Sequence, residues 1–213
     1  MTDDVLAEQV DYYRHRAAEY DATAYGDVEA ARPRIARIVG DLRVTGRVLE
    51  IACGTGLWTE ALAAYADSLT ALDTAPEALS IARGRVGRGN VTFVAADVFQ
   101  WEPGTQFDVI FFSAWLSHVP PERFDGFWAA LRRMLADGGR VLFIDEHVAE
   151  RPKESYVDDG IVERRLTDGR TFRVVKHFVD PAELSARLRD RGWDCVIRRE
   201  GDDWVSGEAR PTA

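Results

Sequence analysis

The stretch that decides the fold is Val48-Leu49-Glu50-Ile51-Ala52-Cys53-Gly54-Thr55-Gly56, in which a short apolar strand runs into a glycine-rich turn. A helical pattern begins directly after it at Leu57. A glycine turn between a strand and a helix lets a ligand approach the backbone and meet the free amide groups at the helix start. The stretch therefore predicts a ligand site at the end of a sheet strand.

Strand and helix patterns alternate five times around this stretch. The predicted strands are 47–51, 69–73, 91–95, 107–112 and 141–144. This alternation favours a parallel sheet with helices on both faces. Before the sheet, residues 3–20 carry an apolar stripe at helical spacing, and 28–40 resembles a second helix.

The last third of the chain breaks the alternation. Asp168-Gly169 lies between the strand patterns 161–167 and 170–176 and predicts a hairpin. A helix capped by Asp180 follows, and then two closely spaced strands near 193–198 and 204–206, which predict an antiparallel pair.

Composition and charge limit the classes of protein to consider. The 213 residues fit one domain, and 36 acidic against 27 basic residues give a net charge of −9, which disfavours nucleic acid as a partner. Two distant cysteines, Cys53 and Cys195, do not make a zinc site or a disulfide framework. The start Met1-Thr2-Asp3-Asp4 does not resemble a signal peptide, and no apolar run is long enough for a membrane span. We expect a cytoplasmic protein with no membrane partner, as a monomer or a homodimer.

The residues around the glycine turn indicate which ligand it binds. A dinucleotide fingerprint needs a third glycine where this chain has Thr59, and the carboxylate of Glu50 is a poor neighbour for a pyrophosphate. Asp73 ends the second predicted strand, where a carboxylate can accept both ribose hydroxyls, and Asp97 follows the third, where one can accept an adenine amino group. The pattern favours a cationic adenosine cofactor such as S-adenosylmethionine over a nicotinamide dinucleotide.

The same residues resemble the class I S-adenosylmethionine-dependent methyltransferases, in particular their small-molecule branch. Residues 50–56 match the family motif Glu/Asp-x-Gly-x-Gly-x-Gly, with Ala52 in place of the first glycine, and residues 107–120 resemble the fourth strand and its loop. The N-terminal tyrosines and Glu19-Tyr20-Asp21 resemble a helical lid. The cofactor-binding residues implied by the resemblance and the pattern are Tyr12, Tyr13, Arg16, Glu50, Ala52, Cys53, Gly54, Gly56, Asp73, Thr74, Asp97, Val98, Ser113 and Trp115.

The resemblance implies a Rossmann-like α/β fold with a seven-stranded, mostly parallel sheet, helices on both faces and an antiparallel last strand. It divides the single domain 1–213 into an N-terminal helical lid (1–45), a cofactor-binding core (46–146) and an acceptor-side insertion with a hairpin (147–178). The implied reaction moves a methyl group from S-adenosylmethionine to an oxygen, nitrogen or carbon of a small molecule and leaves S-adenosylhomocysteine. Aromatic residues in the insertion (Tyr156, Phe172 and Phe178) favour a flat or apolar acceptor.

Two histidines are candidate catalytic residues. His118 follows the fourth predicted strand and His147 the fifth, so both are expected at the edge where open α/β sheets bind ligands, and a neutral imidazole can act as a general base. We predict no metal, because Asp145, Glu146 and His147 are consecutive in a strand and alternate sides.

Three alternatives remain open from the sequence. The chain could be a noncatalytic scaffold that keeps the cofactor fold, an enzyme such as a cyclase that uses the same pocket without methyl transfer, or, least favoured, a nicotinamide oxidoreductase.

Overall fold

A seven-stranded sheet forms the centre of the protein in the computed structural model, which describes residues 3–212. Met1 and Thr2, on which the leader prediction partly rests, and Ala213 lie outside the described residues. The strands are β1 (Arg47–Ile51), β2 (Ser68–Asp73), β3 (Val91–Ala95), β4 (Phe107–Ser113), β5 (Leu135–Glu146), β6 (Tyr156–Asp158), β7 (Ile161–Arg165), β8 (Thr171–Val175), β9 (Trp193–Glu200) and β10 (Trp204–Pro211). The α-helices are α1 (Asp3–Arg16), α2 (Tyr20–Ala24), α3 (Val28–Asp41), α4 (Leu57–Leu62), α5 (Pro76–Arg85), α6 (Phe124–Met134) and α7 (Pro181–Arg189).

The strand order of the large sheet is β3-β2-β1-β4-β5-β10-β9. Strands β1 to β5 are parallel, and β10 runs antiparallel to both β5 and β9. This confirms the predicted seven-stranded, Rossmann-like sheet with a reversed edge. The chain order reverses between β1 and β4, and in open α/β sheets a ligand crevice forms outside the carboxyl ends of the strands at such a point.

Side chains of the large sheet are buried on both faces because helices cover both. In β1, Leu49 and Ile51 pack in one apolar cluster with Trp128 of α6, while Val48 packs in another with Val39 of α3. Neighbouring residues of a strand point to opposite faces, so one strand contributes to both layers. This two-sided burial explains the nearly continuous apolar strands of the sequence.

A second, three-stranded sheet has the order β6-β7-β8 and packs against α1. Strands β7 and β8 form the predicted hairpin, whereas β6 is not predicted by any pattern in the sequence. Two polar residues of α1 fasten the helix to β8. Glu8 forms an ion pair with Arg173, and the buried amide of Gln9 accepts a hydrogen bond from Val175 N at 3.0 Å. The N-terminal helix and the insertion therefore pack as one layer.

Three element boundaries differ from the sequence predictions. The first helix ends at Arg16, before α2 begins at Tyr20, and α4 ends at Leu62. Strand β5 begins at Leu135 and not at the predicted residue 141. The residues Asp137-Gly138-Gly139 are typical of a turn that closes a helix, but Leu135 pairs with Phe107 of β4 and the strand starts there. Pairing between distant strands is a tertiary contact that a local pattern does not carry. Among residues 3–212, no helix is long and apolar enough to cross a membrane.

Candidate cofactor and acceptor site

A cavity opens at the carboxyl ends of β1, β2, β3 and β4, with residues of α1 and α2 on its other side. It lies at the strand-order reversal. The predicted site residues that line it are Tyr13, Ala52, Gly54, Asp73, Thr74, Asp97, Val98, Ser113, Trp115 and His118. The fold thus brings together, from five separate segments, most of the residues that the sequence had marked.

The glycine turn has a left-handed backbone at three alternate positions. Ala52, Gly54 and Gly56 have φ values of 54°, 53° and 83°. A Cβ on Gly56 would lie 2.8 Å from the Cβ of Ala82 in α5, whereas a Cβ on Gly54 would meet no atom within 4 Å. Gly56 is therefore required for helix packing, and Gly54 leaves open space on the cavity side. Ala52 carries a strain of about 1–2 kcal/mol, since L-residues disfavour this conformation.

Asp73 connects the second strand to the glycine turn. Its Oδ2 accepts the Gly54 N–H at 2.8 Å and its Oδ1 accepts the Ala75 N–H at 2.8 Å. Burial raises the pKa of this carboxyl, and the backbone hydrogen bonds partly oppose that shift. The sequence Thr74-Ala75-Pro76-Glu77 has the Thr-x-x-Glu pattern of a capping box, which predicts a cap from Thr74. That prediction is wrong, because α5 has no side-chain cap and the N–H of its N-cap, Ala75, donates to Asp73. The carboxylate stands at the cavity wall with lone pairs left for a ligand.

Glu50 is a buried carboxylic acid in the middle of the sheet. It is 2% exposed, and among the described residues its Oε2 has no hydrogen-bond partner. Burial raises its pKa to about 8. A cation beside such a buried group stabilises its ionised form, the carboxylate. Glu50 does not line the cavity itself, but its neighbours Ile51 and Ala52 do.

The third-strand carboxylate shapes a turn at the cavity wall. Asp97 Oδ1 accepts the Phe99 N–H at 2.9 Å and Oδ2 accepts from Gln100 Nε2 at 3.1 Å. Val98 is buried beside it. In the loop after β4, Trp115 lines the cavity, and its buried indole N–H has no partner among the described residues.

His118 is held in one tautomer by its hydrogen bonds. Its Nδ1 lies 2.7 Å from the carbonyl oxygen of Val175, which only accepts, so Nδ1 carries the hydrogen. Nε2 is then a bare acceptor and receives the Tyr13 hydroxyl at 2.9 Å. The amide of Gln9 donates to the His118 carbonyl at 3.3 Å. Helix α1 and strand β8 together fix the ring at the cavity wall.

Positive charge dominates the surroundings of His118. Burial is the main cause of a pKa well below the usual histidine range, and Lys176, Arg164 and Arg16 lower it further. Lys176 is buried and forms an ion pair with Glu146, and Arg164 pairs with Glu154 at 2.6 Å.

Arg16 differs from the other two cations in its partners. Its guanidinium lies over the rings of Tyr12 and Tyr20, at 5.6 and 4.7 Å from their centroids, and donates to Thr23 Oγ1 at 3.0 Å. Among the ion pairs of residues 3–212, none includes Arg16.

Six predicted site residues do not line the cavity. Besides Glu50 and Gly56 these are Tyr12, Arg16, Cys53 and His147. Tyr12 is buried against the small sheet. Cys53 packs with Ala71 and Leu79, and burial raises the pKa of its thiol.

His147 does not meet the expectation that it faces the cleft. It caps a 3-10 helix, where its Nδ1 accepts the Ala149 N–H at 3.1 Å. Its backbone bridges to Val179, so the chain turns away from the sheet edge at this residue.

Several residues of the site are not predicted from the sequence. Tyr20 and Thr55 line the cavity, and Gln9 and Lys176 hold or surround His118. Thr55 lies inside the glycine motif and Tyr20 inside the lid segment, so their positions gave a signal. Gln9 and Lys176 gave none, because only the packing of α1 and β8 against the loop after β4 brings them to the site.

The residues present fit S-adenosylmethionine. The buried Oε2 of Glu50 has no hydrogen-bond partner among the described residues, the open space at Gly54 leaves room for a ligand at the turn, and carboxylates follow β2 and β3. Within the described part of the chain, no group of three or more His, Cys, Asp or Glu side chains is placed to hold a metal ion.

Fold and site together define a class I S-adenosylmethionine-dependent methyltransferase, and the chain belongs to that family. The sequence model of the family described as "Methyltransferase domain" matches residues 48–139 of this chain. The structures of the DhpI-SAH and DhpI-SAM-HEP complexes are 39% identical to this chain. The DhpI-SAH complex superposes with a TM-score of 0.87, and the match covers 100% of this chain and 99% of that chain. The DhpI-SAM-HEP complex superposes with a TM-score of 0.88, and the match covers 99% of this chain and 100% of that chain.

Two of the curated relatives are methyltransferases whose names include an acceptor. A malonyl-[acyl-carrier protein] O-methyltransferase of Paenibacillus sp. (strain JDR-2) is 34% identical over 160 residues, which cover 67% of this chain and 55% of that protein. A 2-heptyl-1-hydroxyquinolin-4(1H)-one methyltransferase of Mycobacteroides abscessus is 27% identical over 185 residues, or 82% of this chain and 81% of that protein. The matched regions span 49–62% of the length of the first five curated relatives.

Proposed function

We propose that this chain transfers a methyl group from S-adenosylmethionine to an oxygen of a small anionic molecule. The observation that carries the proposal is the single cavity in which the cofactor turn lies opposite His118, with three cationic side chains acting on that histidine. A relative with 39% identity over essentially the full chain forms a complex with both SAM and HEP, which supports one pocket for a cofactor and a second small molecule.

The cofactor end of the cavity supplies contacts to each part of S-adenosylmethionine. Asp73 would accept the ribose hydroxyls and Asp97 would stand at the adenine amino group. The open turn at Gly54 would receive the methionine part, and Glu50 would balance its positive charge. When bound, the cofactor supplies an activated methyl group that an acceptor oxygen attacks in line while the carbon–sulfur bond breaks, with its electrons left on sulfur.

The acceptor end favours negative charge. Lys176, Arg164 and Arg16 all depress the pKa of His118, which means that the potential at its ring is positive. Lys176 and Arg164 are already balanced by carboxylates, whereas Arg16 is held by a hydroxyl and two tyrosine rings. An anionic acceptor would supply the counter-charge. The rings expected to bind a flat acceptor (Tyr156, Phe172 and Phe178) are not among the residues that line the cavity.

His118 and Tyr13 then have a positioning role for the acceptor. The neutral imidazole presents Nε2 as a hydrogen-bond acceptor, and Tyr13 contributes a hydroxyl at the same point. If the acceptor carries a hydroxyl group besides the oxygen that is methylated, that hydroxyl can donate to Nε2 in place of Tyr13. An oxygen that is already ionised in the positive potential needs no base, so the reaction depends mainly on orientation and on exclusion of water.

The test has two stages. Isothermal titration with S-adenosylmethionine and S-adenosylhomocysteine measures cofactor binding, and absence of binding by both refutes the proposal. Acceptors are then compared in matched sets of similar size: carboxylates, phosphate monoesters and phosphonates against a neutral alcohol and a phenol. Methylated product and S-adenosylhomocysteine are followed by mass spectrometry. We expect turnover with at least one of the three anionic classes. Faster turnover of the neutral alcohol or phenol contradicts the proposal that the acceptor is anionic.

A variant separates the acceptor role of the positive charge from cofactor binding. Arg16→Met removes a cation without leaving a carboxylate unpaired, and we expect a rise of about tenfold in acceptor KM with little change in cofactor affinity. Arg151→Met is the control, because Arg151 lies over the ring of Tyr156 at 5.0 Å and is not among the groups that act on His118. An equal effect of both substitutions contradicts the acceptor role.

A further inference from the structure

Three side chains join the second helix to the glycine turn. Arg85, the last residue of α5, donates through Nη1 to the Thr55 carbonyl at 2.7 Å and to Thr55 Oγ1 at 3.1 Å. Its Nη2 forms an ion pair with Asp21 of α2. Thr55 Oγ1 donates to Asp21 Oδ1 at 2.6 Å and closes the ring of hydrogen bonds. The Arg85 side chain is only 11% exposed, so solvent screens this ion pair weakly.

These contacts lie at the wall of the cofactor cavity. Thr55 stands between the two glycines of the turn, and Asp21 is next to Tyr20, which lines the cavity together with Thr55. Helix α2 has five residues, buries none of them fully and has no side-chain cap at its N-terminus. A helix this short does not hold together by itself in water, so its position depends on contacts from outside.

We infer that Asp21 and Arg85 are positioning residues that hold α2, and with it Tyr20, over the bound cofactor, and so set the rate at which the cofactor leaves. The inference rests on the proposed function, since it requires that the cavity binds S-adenosylmethionine. Breaking the ion pair leaves the single hydrogen bond from Thr55 to Asp21 between α2 and the glycine turn, and so weakens the hold on α2 without removing any group that lines the cavity. The cofactor then leaves through the wall that α2 forms.

A second contact between the N-terminal segment and α5 provides a matched control. Arg14 of α1 pairs with Glu77 at the start of α5, at 3.0 Å, and both side chains are 44% exposed. This pair joins the same two regions of the chain as Asp21 and Arg85. It makes no hydrogen bond to the glycine turn, so it tests whether any link between the lid and α5 suffices.

The experiment measures the dissociation rate of S-adenosylhomocysteine from the 213-residue chain. Protein loaded with isotope-labelled S-adenosylhomocysteine is mixed with excess unlabelled ligand, and the label that remains bound is followed over time by rapid filtration. The variants are Asp21→Asn, Arg85→Met, their combination, and Arg14→Met. Asp21→Asn keeps the size of the side chain, and thermal unfolding of each ligand-free variant checks that the fold is retained.

We expect each of the first two substitutions to raise the dissociation rate about tenfold, and the double variant to add little, because the two residues act as one unit. Arg14→Met should change the rate less than about twofold, as exposed ion pairs contribute little. If Asp21→Asn and Arg85→Met both release the ligand at the wild-type rate, the inference is wrong, even if they lower the unfolding temperature. If the wild-type protein binds no S-adenosylhomocysteine, it is the proposed function that fails.

Discussion

Glu50 gives the sharpest quantitative prediction, because its carboxylic acid is buried beside the cofactor turn and its Oε2 has no hydrogen-bond partner among the described residues. Its pKa in the ligand-free protein is raised to about 8, so it is mostly protonated at neutral pH. A bound cationic cofactor stabilises the carboxylate and pulls this pKa down towards or below the ordinary 4.5. Cofactor binding should therefore release a proton from Glu50.

The size of the effect follows from linkage. With a pKa of about 8 in the free protein and about 4.5 or less in the complex, cofactor affinity rises about ninefold from pH 6 to pH 7 and about fivefold from pH 7 to pH 8, and then levels off. Isothermal titration in buffers of different ionisation enthalpy should find about 0.9 proton released per cofactor at pH 7.

Glu50→Gln is the matched control because it keeps the shape and cannot ionise. Titration of the cofactor's own amino group affects both proteins equally, so the ratio of their affinities isolates Glu50. With the glutamine amide standing for the protonated acid, the same two pKa values predict a ratio in favour of the wild type of about 30 at pH 6 and about 1,600 at pH 8, a change of about fiftyfold. A ratio that does not change with pH would refute the assigned role of Glu50.

The same carboxyl group makes the stability of the ligand-free protein depend on pH. Its folded pKa lies above its unfolded value, so its contribution is fully present below about pH 4.5 and is lost as the pH rises through about 8. Urea unfolding at pH 5 and pH 8 should show this loss in the wild type and a smaller one in Glu50→Gln.

Four further substitutions test the turn and the histidine. Gly56→Ala should lower the free energy of unfolding in urea by about 3 kcal/mol, from the close contact and left-handed backbone. Gly54→Ala should lower the free energy of unfolding by about 1–2 kcal/mol, less than Gly56→Ala does, and should also weaken S-adenosylhomocysteine binding measured by calorimetry. A larger loss of stability for Gly54→Ala than for Gly56→Ala contradicts this geometry. Ala52→Gly should stabilise by about 0.5–1 kcal/mol by relieving strain, and a loss of stability argues against it. Tyr13→Phe leaves Nε2 of His118 without a donor and should cost about 1–2 kcal/mol in thermal unfolding, whereas no change indicates that the hydrogen bond contributes little.

Local patterns carried most of the fold. The five predicted sheet strands, the Asp168-Gly169 hairpin and the two closing strands are all present, because each depends on burial period or turn chemistry within a few residues. The predicted alternation with helices is wrong at one place, since no α-helix separates β3 from β4 among the described residues. Strand β6 was missed: it has three residues, pairs with a register shift and has little burial to mark it. The start of β5 was misplaced for a related reason, since its first residue is a strand only through its pairing with β4.

The two ends of the site differ in how far the sequence could reach. The cofactor end consists of strand-terminal residues, and their order along the sheet follows from the βα pattern, so Gly54, Asp73 and Asp97 were predictable. The outward turn at His147 depends on backbone pairing with Val179, far along the chain, and the sequence expectation failed there.

The sequence by itself determined the class of fold and the position of the adenosine-binding edge, because glycine, strand-end carboxylates and burial period act locally. Only the tertiary structure decided the acceptor end. Lys176, Arg164 and Gln9 lie far apart in sequence and reach His118 because α1 packs on the small sheet and both pack on the loop after β4. The electrostatic potential at a point sums over such distant groups, and no local pattern of residues records that sum.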